Sequence, residues 1–180
     1  MRILRLFLVP GIFGLILLTM AFVTRSGWFA RDNPGAPINS AMREYMGQML
    51  LPNEDEAIVS QRWPNAVQTS TGLRYVVTRE GDGVTRPRAG QMVAAHYRGM
   101  LLDGTPVDDS HSKGEPLRFP VGQTRVLAGW DEAFLTMTQG EQRTLIIPYW
   151  LGYGEKGVAG RIPPEATLIF DVELVEIGDQ

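Results

Sequence analysis

Residues Leu6 to Val23, LFLVPGIFGLILLTMAFV, form an uncharged run of 18 residues, and that run divides the chain into parts suited to different solvents. As a helix rising 1.5 Å per residue it would span about 27 Å, just enough for the hydrocarbon core of a bilayer. Arg2, Arg5 and the terminal amine precede it, and Arg25 and Arg31 follow. The excess of positive charge ahead of the run predicts a cytoplasmic N-terminus and an exported remainder. A cleaved signal peptide is the alternative. Its apolar core is usually shorter and ends in a small-x-small site. Here the run is followed by Thr24, Arg25, Ser26, Gly27 and Trp28, and Ala21 has Thr19 two places before it. Residues 1–27 are therefore expected to be an uncleaved signal-anchor, a transmembrane helix that holds the chain in the inner membrane. The rest then lies on the periplasmic side, or free in the periplasm if the signal is cut.

The remainder must fold in water. The whole chain carries 17 basic and 20 acidic residues, net −3. Three of the arginines precede Trp28 and every acid follows it, so residues 28–180 hold 14 basic against 20 acidic, net −6. A part that acidic is poorly suited to nucleic acid. Cysteine is absent, which excludes disulfides, thiol nucleophiles, iron–sulfur clusters and Cys-ligated zinc. With only two histidines, neither a metal site nor a cofactor is expected. A 44% hydrophobic and 21% charged composition is that of a globular chain.

Residues 28–66 read as a linker with two short helices. Arg31 to Asn39 holds two prolines and a glycine and is expected to be an extended tether. Met42, Tyr45, Met46, Met49 and Leu50 recur at helical spacing and predict a helix over Ala41 to Leu51, stopped by Pro52. Such a methionine stripe serves either as an adaptable partner surface or as a face docked on its own domain. Asn53 with Glu56 three places on is a capping-box-like start to a second helix ending before Pro64.

From residue 67 to 178 the pattern changes to strands and turns. Leu73–Arg79, Gln91–Leu102, Leu117–Val121, Glu141–Pro148 and Thr167–Ile177 read as strands, with an Asp103-Gly104 hairpin turn. The last strand alternates, with Leu168, Phe170, Val172 and Leu174 on one face. Val126 to Met137 has helical spacing and is ended by Gln139-Gly140. The predicted class is α+β, an antiparallel sheet whose apolar face covers one short central helix.

Three blocks, GQMVAAHYRGMLLDGTPVDDS, RVLAGWDEAF and YGEKGVAGRIPPEATLIFDVELVEI, occur in this order. Together they resemble the FKBP-type peptidyl-prolyl cis-trans isomerases, from about Thr69 to Ile177. The chain looks like an exported or membrane-anchored, bacterial-type member. The resemblance implies a sheet curled around a short helix, an aromatic hollow between them, and proline-containing polypeptides as substrates. It implies catalytic roles for Tyr97, Asp108, Trp130 and Tyr153. It implies substrate contacts from Val107, Leu117, Phe119, Val126, Leu127, Ile162 and Phe170. Trp130 matches the floor tryptophan, Tyr153 the tyrosine of the YG loop and Leu127 the residue whose N–H binds a substrate carbonyl. Lys113 lies where a basic partner would suit Asp108. Val107, Leu117 and Val158 stand where the family usually has Phe, Phe and His. The rim is therefore expected to be wider and less aromatic, with weaker binding of the family's macrolide inhibitors.

The residue types suit the reaction. Resonance gives the peptide bond a rotational barrier of ~18–20 kcal/mol, and X-Pro bonds exchange in tens to hundreds of seconds. A dry aromatic pocket disfavours the polar planar amide relative to the twisted one, with no nucleophile, metal or proton transfer. Asp108, Asp109, Ser110 and His111 hold the parts of a hydrolase triad, but neighbours in sequence do not align as one. His96 is expected to face away from Tyr97, since strand neighbours alternate. A non-catalytic, chaperone-like or partner-binding module of the same fold is the alternative function.

Overall fold

The computed structural model describes residues 50–178. The uncharged run, the tether and residues 41–49 of the expected methionine helix lie outside them. Leu50 and Leu51, the end of that expected helix, are not helical. Among the described residues no helix is long and apolar enough to cross a membrane.

Seven strands form one sheet: β1 (Val67–Gln68), β2 (Arg74–Arg79), β3 (Met92–Leu101), β4 (Pro106–Asp109), β5 (Leu117–Pro120), β6 (Gln142–Ile147) and β7 (Leu168–Ile177). Their order is β1-β2-β6-β7-β3-β4, and β5 also pairs with β3. All pairs are antiparallel. The first half of β3 takes β5 and its second half takes β4 on the same edge. Register shifts at Ala94/Ala95 and Gly99/Met100 interrupt β3. Bulges of this kind increase local twist and help a sheet to curl. The sequence pattern shows five of these strands; β1 and β4 are too short to display a period.

The helix inside the curl is α2 (Ala128–Phe134), seven residues rather than the twelve the spacing suggests. Its start is set by the preceding loop. Leu127 is extended (φ −56, ψ 143), because buried Asp131 draws the N–H groups of Gly122 (2.8 Å) and Thr124 (2.7 Å) onto its carboxylate. Its end coincides with the Thr136 hydroxyl bonding back to the Ala133 carbonyl at 2.9 Å, a local contact that competes with helix continuation. Trp130, Ala133, Phe134 and Met137 are buried against Val93, Tyr97, Leu145, Phe170 and Val172 of the sheet. Gly129 permits this approach, since a Cβ there would sit 2.9 Å from Ile147.

The other face of the sheet is also covered, which the alternation in β7 does not reveal. Helix α1 (Asn53–Arg62) lays Val59 on Ile146 and Ile169, and Leu51 and Leu102 complete a second, aliphatic core. Ile146 and Ile169 thus face away from the α2 side, in strands buried on both faces. Asn53 does not cap α1. Pro52 holds the cap position without a side-chain hydrogen bond. Glu56 instead reaches across to Arg74 of β2 with bonds of 3.0 and 2.7 Å.

Candidate active site

Between α2 and the sheet lies a hollow of about 330 Å³. Its floor is Trp130, 3% exposed, which meets Tyr97 edge-on at 5.0 Å and Phe170 at 5.2 Å. The Phe170 ring can reach the hollow because its cross-strand partner is Gly99, where a Cβ would collide with that ring. Leu117 of β5, Val126, Leu127 and Tyr153 form much of the wall with Asp108. Among the sequence-derived candidates, the structure therefore brings together Tyr97, Asp108, Leu117, Val126, Leu127, Trp130, Tyr153 and Phe170.

Val107, Phe119 and Ile162 are placed otherwise. All three belong to the core that backs the hollow, at 9%, 3% and 4% exposure, rather than to its lining. Phe119 supports Trp130 from behind at 5.8 Å and Phe134 edge-on at 5.3 Å. Ile162 bonds in both directions with Val158 (2.8 Å each) and closes the base of the loop after Tyr153. The Val107 side chain is buried, and its carbonyl accepts from Arg161 of the same loop at 2.8 Å. The expectation that Val107 and Leu117 both widen the rim is corrected for Val107, because its strand turns the side chain into the core. Leu117, 39% exposed, is at the rim. Arg125 also lines the hollow; the sequence reading passed over it because a lone arginine in a turn carries no pattern.

The polar groups fall into two sets. One is fully paired. Tyr97 donates its hydroxyl to Asp108 at 2.6 Å, and Lys113 donates to the same carboxylate at 2.8 Å and to the Tyr97 oxygen at 3.0 Å. Burial by itself would raise the Asp108 pKa, but the bonds from Lys113 and Tyr97 outweigh it and hold the carboxyl below its ordinary range. Burial, followed by the bond to Asp108, pushes the Tyr97 phenol up. The bond to Asp108, then that to Tyr97, raises the Lys113 ammonium. Asp108 is thus ionised and Tyr97 neutral at physiological pH, and the tyrosine is braced as a wall rather than poised to transfer a proton.

The other set has no protein partner among the described residues. The indole N–H of Trp130 is buried without an acceptor. No acceptor takes the Leu127 N–H or the Tyr153 hydroxyl either. Buried polar groups are normally satisfied, so the Trp130 N–H left open beside an apolar hollow, with the solvent-accessible Leu127 and Tyr153 donors near it, suits a ligand with carbonyl oxygens.

Ser110 offers no nucleophile. It is 1% exposed and spends its hydroxyl on the Tyr97 N–H (2.9 Å), the Tyr97 carbonyl (3.2 Å) and His96 Nδ1 (3.0 Å). His96 stacks on His111 at 4.4 Å beside a polar groove of about 440 Å³. That groove is larger than the hollow, but its Glu173 and Arg143 are already paired to Arg79 and Glu141. Its lining lacks Trp130 and Phe170 and is mostly polar. We take the smaller hollow as the site on its chemistry.

A family model described as FKBP-type peptidyl-prolyl cis-trans isomerase matches residues 83–175, more than half of the chain. The chain belongs to that family. It is 48% identical over 106 residues to FK506-binding protein 1A of Neurospora crassa, covering 59% of this chain and 88% of that protein. To the FKBP-type 22 kDa peptidyl-prolyl cis-trans isomerase of Escherichia coli it is 45% identical over 109 residues, 61% of this chain and 52% of the relative. The crystal structure of AtFKBP13 superposes with a TM-score of 0.60 at 34% identity, over 63% of this chain and 99% of that one. Fungal and bacterial relatives match at similar identity, so this FKBP-type isomerase is identified at the level of the family and not as a bacterial type. Its activity is peptidyl-prolyl cis-trans isomerisation, an enzymatic function, and its substrates are proline-containing polypeptides.

Proposed function

We propose that the hollow over Trp130 is where this isomerase acts, and that it acts on the exported side of a membrane. The observation that carries the first part is the pairing of a flat apolar floor with unclaimed donors at its edge. A proline ring laid on Trp130 between Tyr97 and Phe170 places its amide where water is excluded. The planar amide, the more polar form, loses hydration there; the twisted form loses less. The Leu127 N–H and the Tyr153 hydroxyl then hold carbonyl oxygens on either side of the rotating bond and favour the twisted geometry. Each ~1.4 kcal/mol of this difference is tenfold in rate. Asp108 and Lys113 keep Tyr97 upright and take no part in bond making. A coupled assay of cis-to-trans exchange on X-Pro peptides tests this. Trp130→Leu should lower kcat/KM far more than it lowers the melting temperature, and equal activity with wild type would remove the hollow as the site.

The relatives' printed names support a further use of the same hollow, binding of FK506-type macrolides. The aliphatic rim at Leu117 weakens this binding, and Leu117→Phe should tighten it. FK506 that fails to compete with peptide at any soluble concentration would count against this use.

The second part of the proposal rests on the uncharged run Leu6–Val23 with Arg2 and Arg5 ahead of it. Residues 1–27 anchor the chain and residues 28–180 lie outside the cytoplasm, where the clients are exported or membrane-proximal polypeptides. Carbonate extraction should leave the full-length protein in the membrane pellet. Recovery in the supernatant with a mature N-terminus between residues 19 and 31 would replace the anchor with a cleaved signal.

A further inference from the structure

Rotation of the amide makes no use of one side chain on the wall of the hollow. Arg125 stands exposed at the lip, in the loop between β5 and α2. The other charge on that wall is matched, since Asp108 holds Lys113 at 2.8 Å. Among the described residues no carboxylate pairs with Arg125.

The loop fixes the backbone that carries this cation. Asp131, 8% exposed, clamps the N–H groups of Gly122 and Thr124. Thr124 sits at φ 53, a left-handed conformation that a residue with a side chain keeps only where its surroundings impose it. The clamp thereby fixes the backbone of Arg125 immediately before Val126 and Leu127, which line the hollow. A polypeptide with its proline on Trp130 has to leave the hollow over the lip, so the residues flanking that proline pass beside an unpaired guanidinium.

We infer that Arg125 sets a charge preference in this isomerase, favouring X-Pro segments with Asp or Glu next to the proline over matched neutral or basic ones. The inference rests on the hollow being the substrate site. The preference has to be local, because residues 28–180 carry net −6 and repel acidic segments at long range. Exposed ion pairs are modest, so the discrimination should be about 1.5- to 5-fold in kcat/KM.

Two peptide series test it on the full-length protein in nonionic detergent, one varying the residue before proline among Glu, Gln and Lys, the other the residue after. At low salt at least one series should rank Glu over Gln over Lys. The ranking should flatten near 1 M salt, where the screening length is roughly 3 Å. Arg125→Lys should retain it, Arg125→Gln should abolish it and Arg125→Glu should reverse it. The inference is overturned if neither series shows the ranking, or if it survives in Arg125→Gln or at high salt. Trp130→Leu separates the two levels. If it lowers all peptides alike while Arg125→Gln leaves the ranking intact, the site stands and the role of Arg125 falls. If it changes no rate, the site itself is wrong and the inference goes with it.

Discussion

On the α2 side of the sheet the rings of Tyr97, Trp130 and Phe170 meet at wide angles and leave a hollow; on the α1 side Leu51, Val59, Leu102, Ile146 and Ile169 close against one another. Two tryptophans show the difference. Trp150, beside the second core, donates its indole N–H to the Thr71 carbonyl at 2.9 Å, while the Trp130 N–H has no acceptor. Around α1 three further polar pairs are matched: Thr167 to Asp55 at 2.6 Å, Arg62 to the Leu102 carbonyl at 2.8 Å and Arg74 to Glu56. An unsatisfied buried donor costs about 1–3 kcal/mol. The α2 face bears that cost where a ligand can relieve it, and among the described residues the α1 face carries no such buried side chain. In the proposed function one face supplies the chemistry, and the other packs the strands beneath it.

The sharpest way to break this division is to damage the α1 face. Ile146→Ala should cost about 2–5 kcal/mol of stability, as cavities in closed cores do, read as a lower urea midpoint. kcat/KM per folded molecule should stay within about twofold by the same reasoning; a collapse of activity at unchanged folded fraction would show that the faces are not separable. Trp130→Leu should behave in the opposite sense. Loss of the flat ring removes about 1.5–3 kcal/mol of apolar and aromatic contact with the proline ring. That is roughly a 10- to 100-fold fall in kcat/KM, with a smaller change in stability.

Tyr153→Phe sharpens the comparison at the level of one donor. A neutral hydrogen bond is worth ~0.5–1.5 kcal/mol, so the rate should drop several-fold with no change in the urea midpoint. No change in rate would leave Leu127 as the carbonyl-binding donor. The smallest expected effect is that of pH. The Asp108 pKa is depressed on folding, so its contribution is present above the unfolded carboxylate value near 3.9 and is lost as pH falls through the lower folded value. The Lys113 pKa is raised, so its contribution is present below the unfolded value near 10.4 and is lost as pH rises through the higher folded value. Between about pH 6 and 8 neither titrates, and kcat/KM should be flat. His96→Gln, on the far face of β3, and His111→Gln, whose ring stacks on it, should keep most of the activity. A bell-shaped profile in that range, or loss with either histidine, would falsify rotation without proton transfer.

How much of this was legible in the chain depended on the element. The period-two pattern in β7 pointed Phe170 inward because one face of that strand is alternately apolar. The three sequence blocks marked Tyr97, Asp108, Trp130 and Tyr153, and the structure gathers these four around one hollow. Val107 and Ile162 sit in the same blocks and Phe119 between two of them, yet all three are buried behind the lining. Sequence proximity to a site does not specify which way a side chain turns once its strand is paired.

The amino-acid sequence by itself determined the class of fold, the aromatic character of the site and the exclusion of thiol chemistry, because each follows from residue type and local period. Only the tertiary structure decided three other things. The second core needed Leu51 and Val59 to meet Ile169, which lies 118 and 110 positions further along the chain, a contact with no local signature. The start of α2 was settled by Asp131 reaching back to Gly122 and Thr124, and its end coincides with Thr136 bonding back to Ala133. Which donors stayed free was settled last, since a hydrogen-bonding group is open only once every neighbour that the fold brings near has been placed.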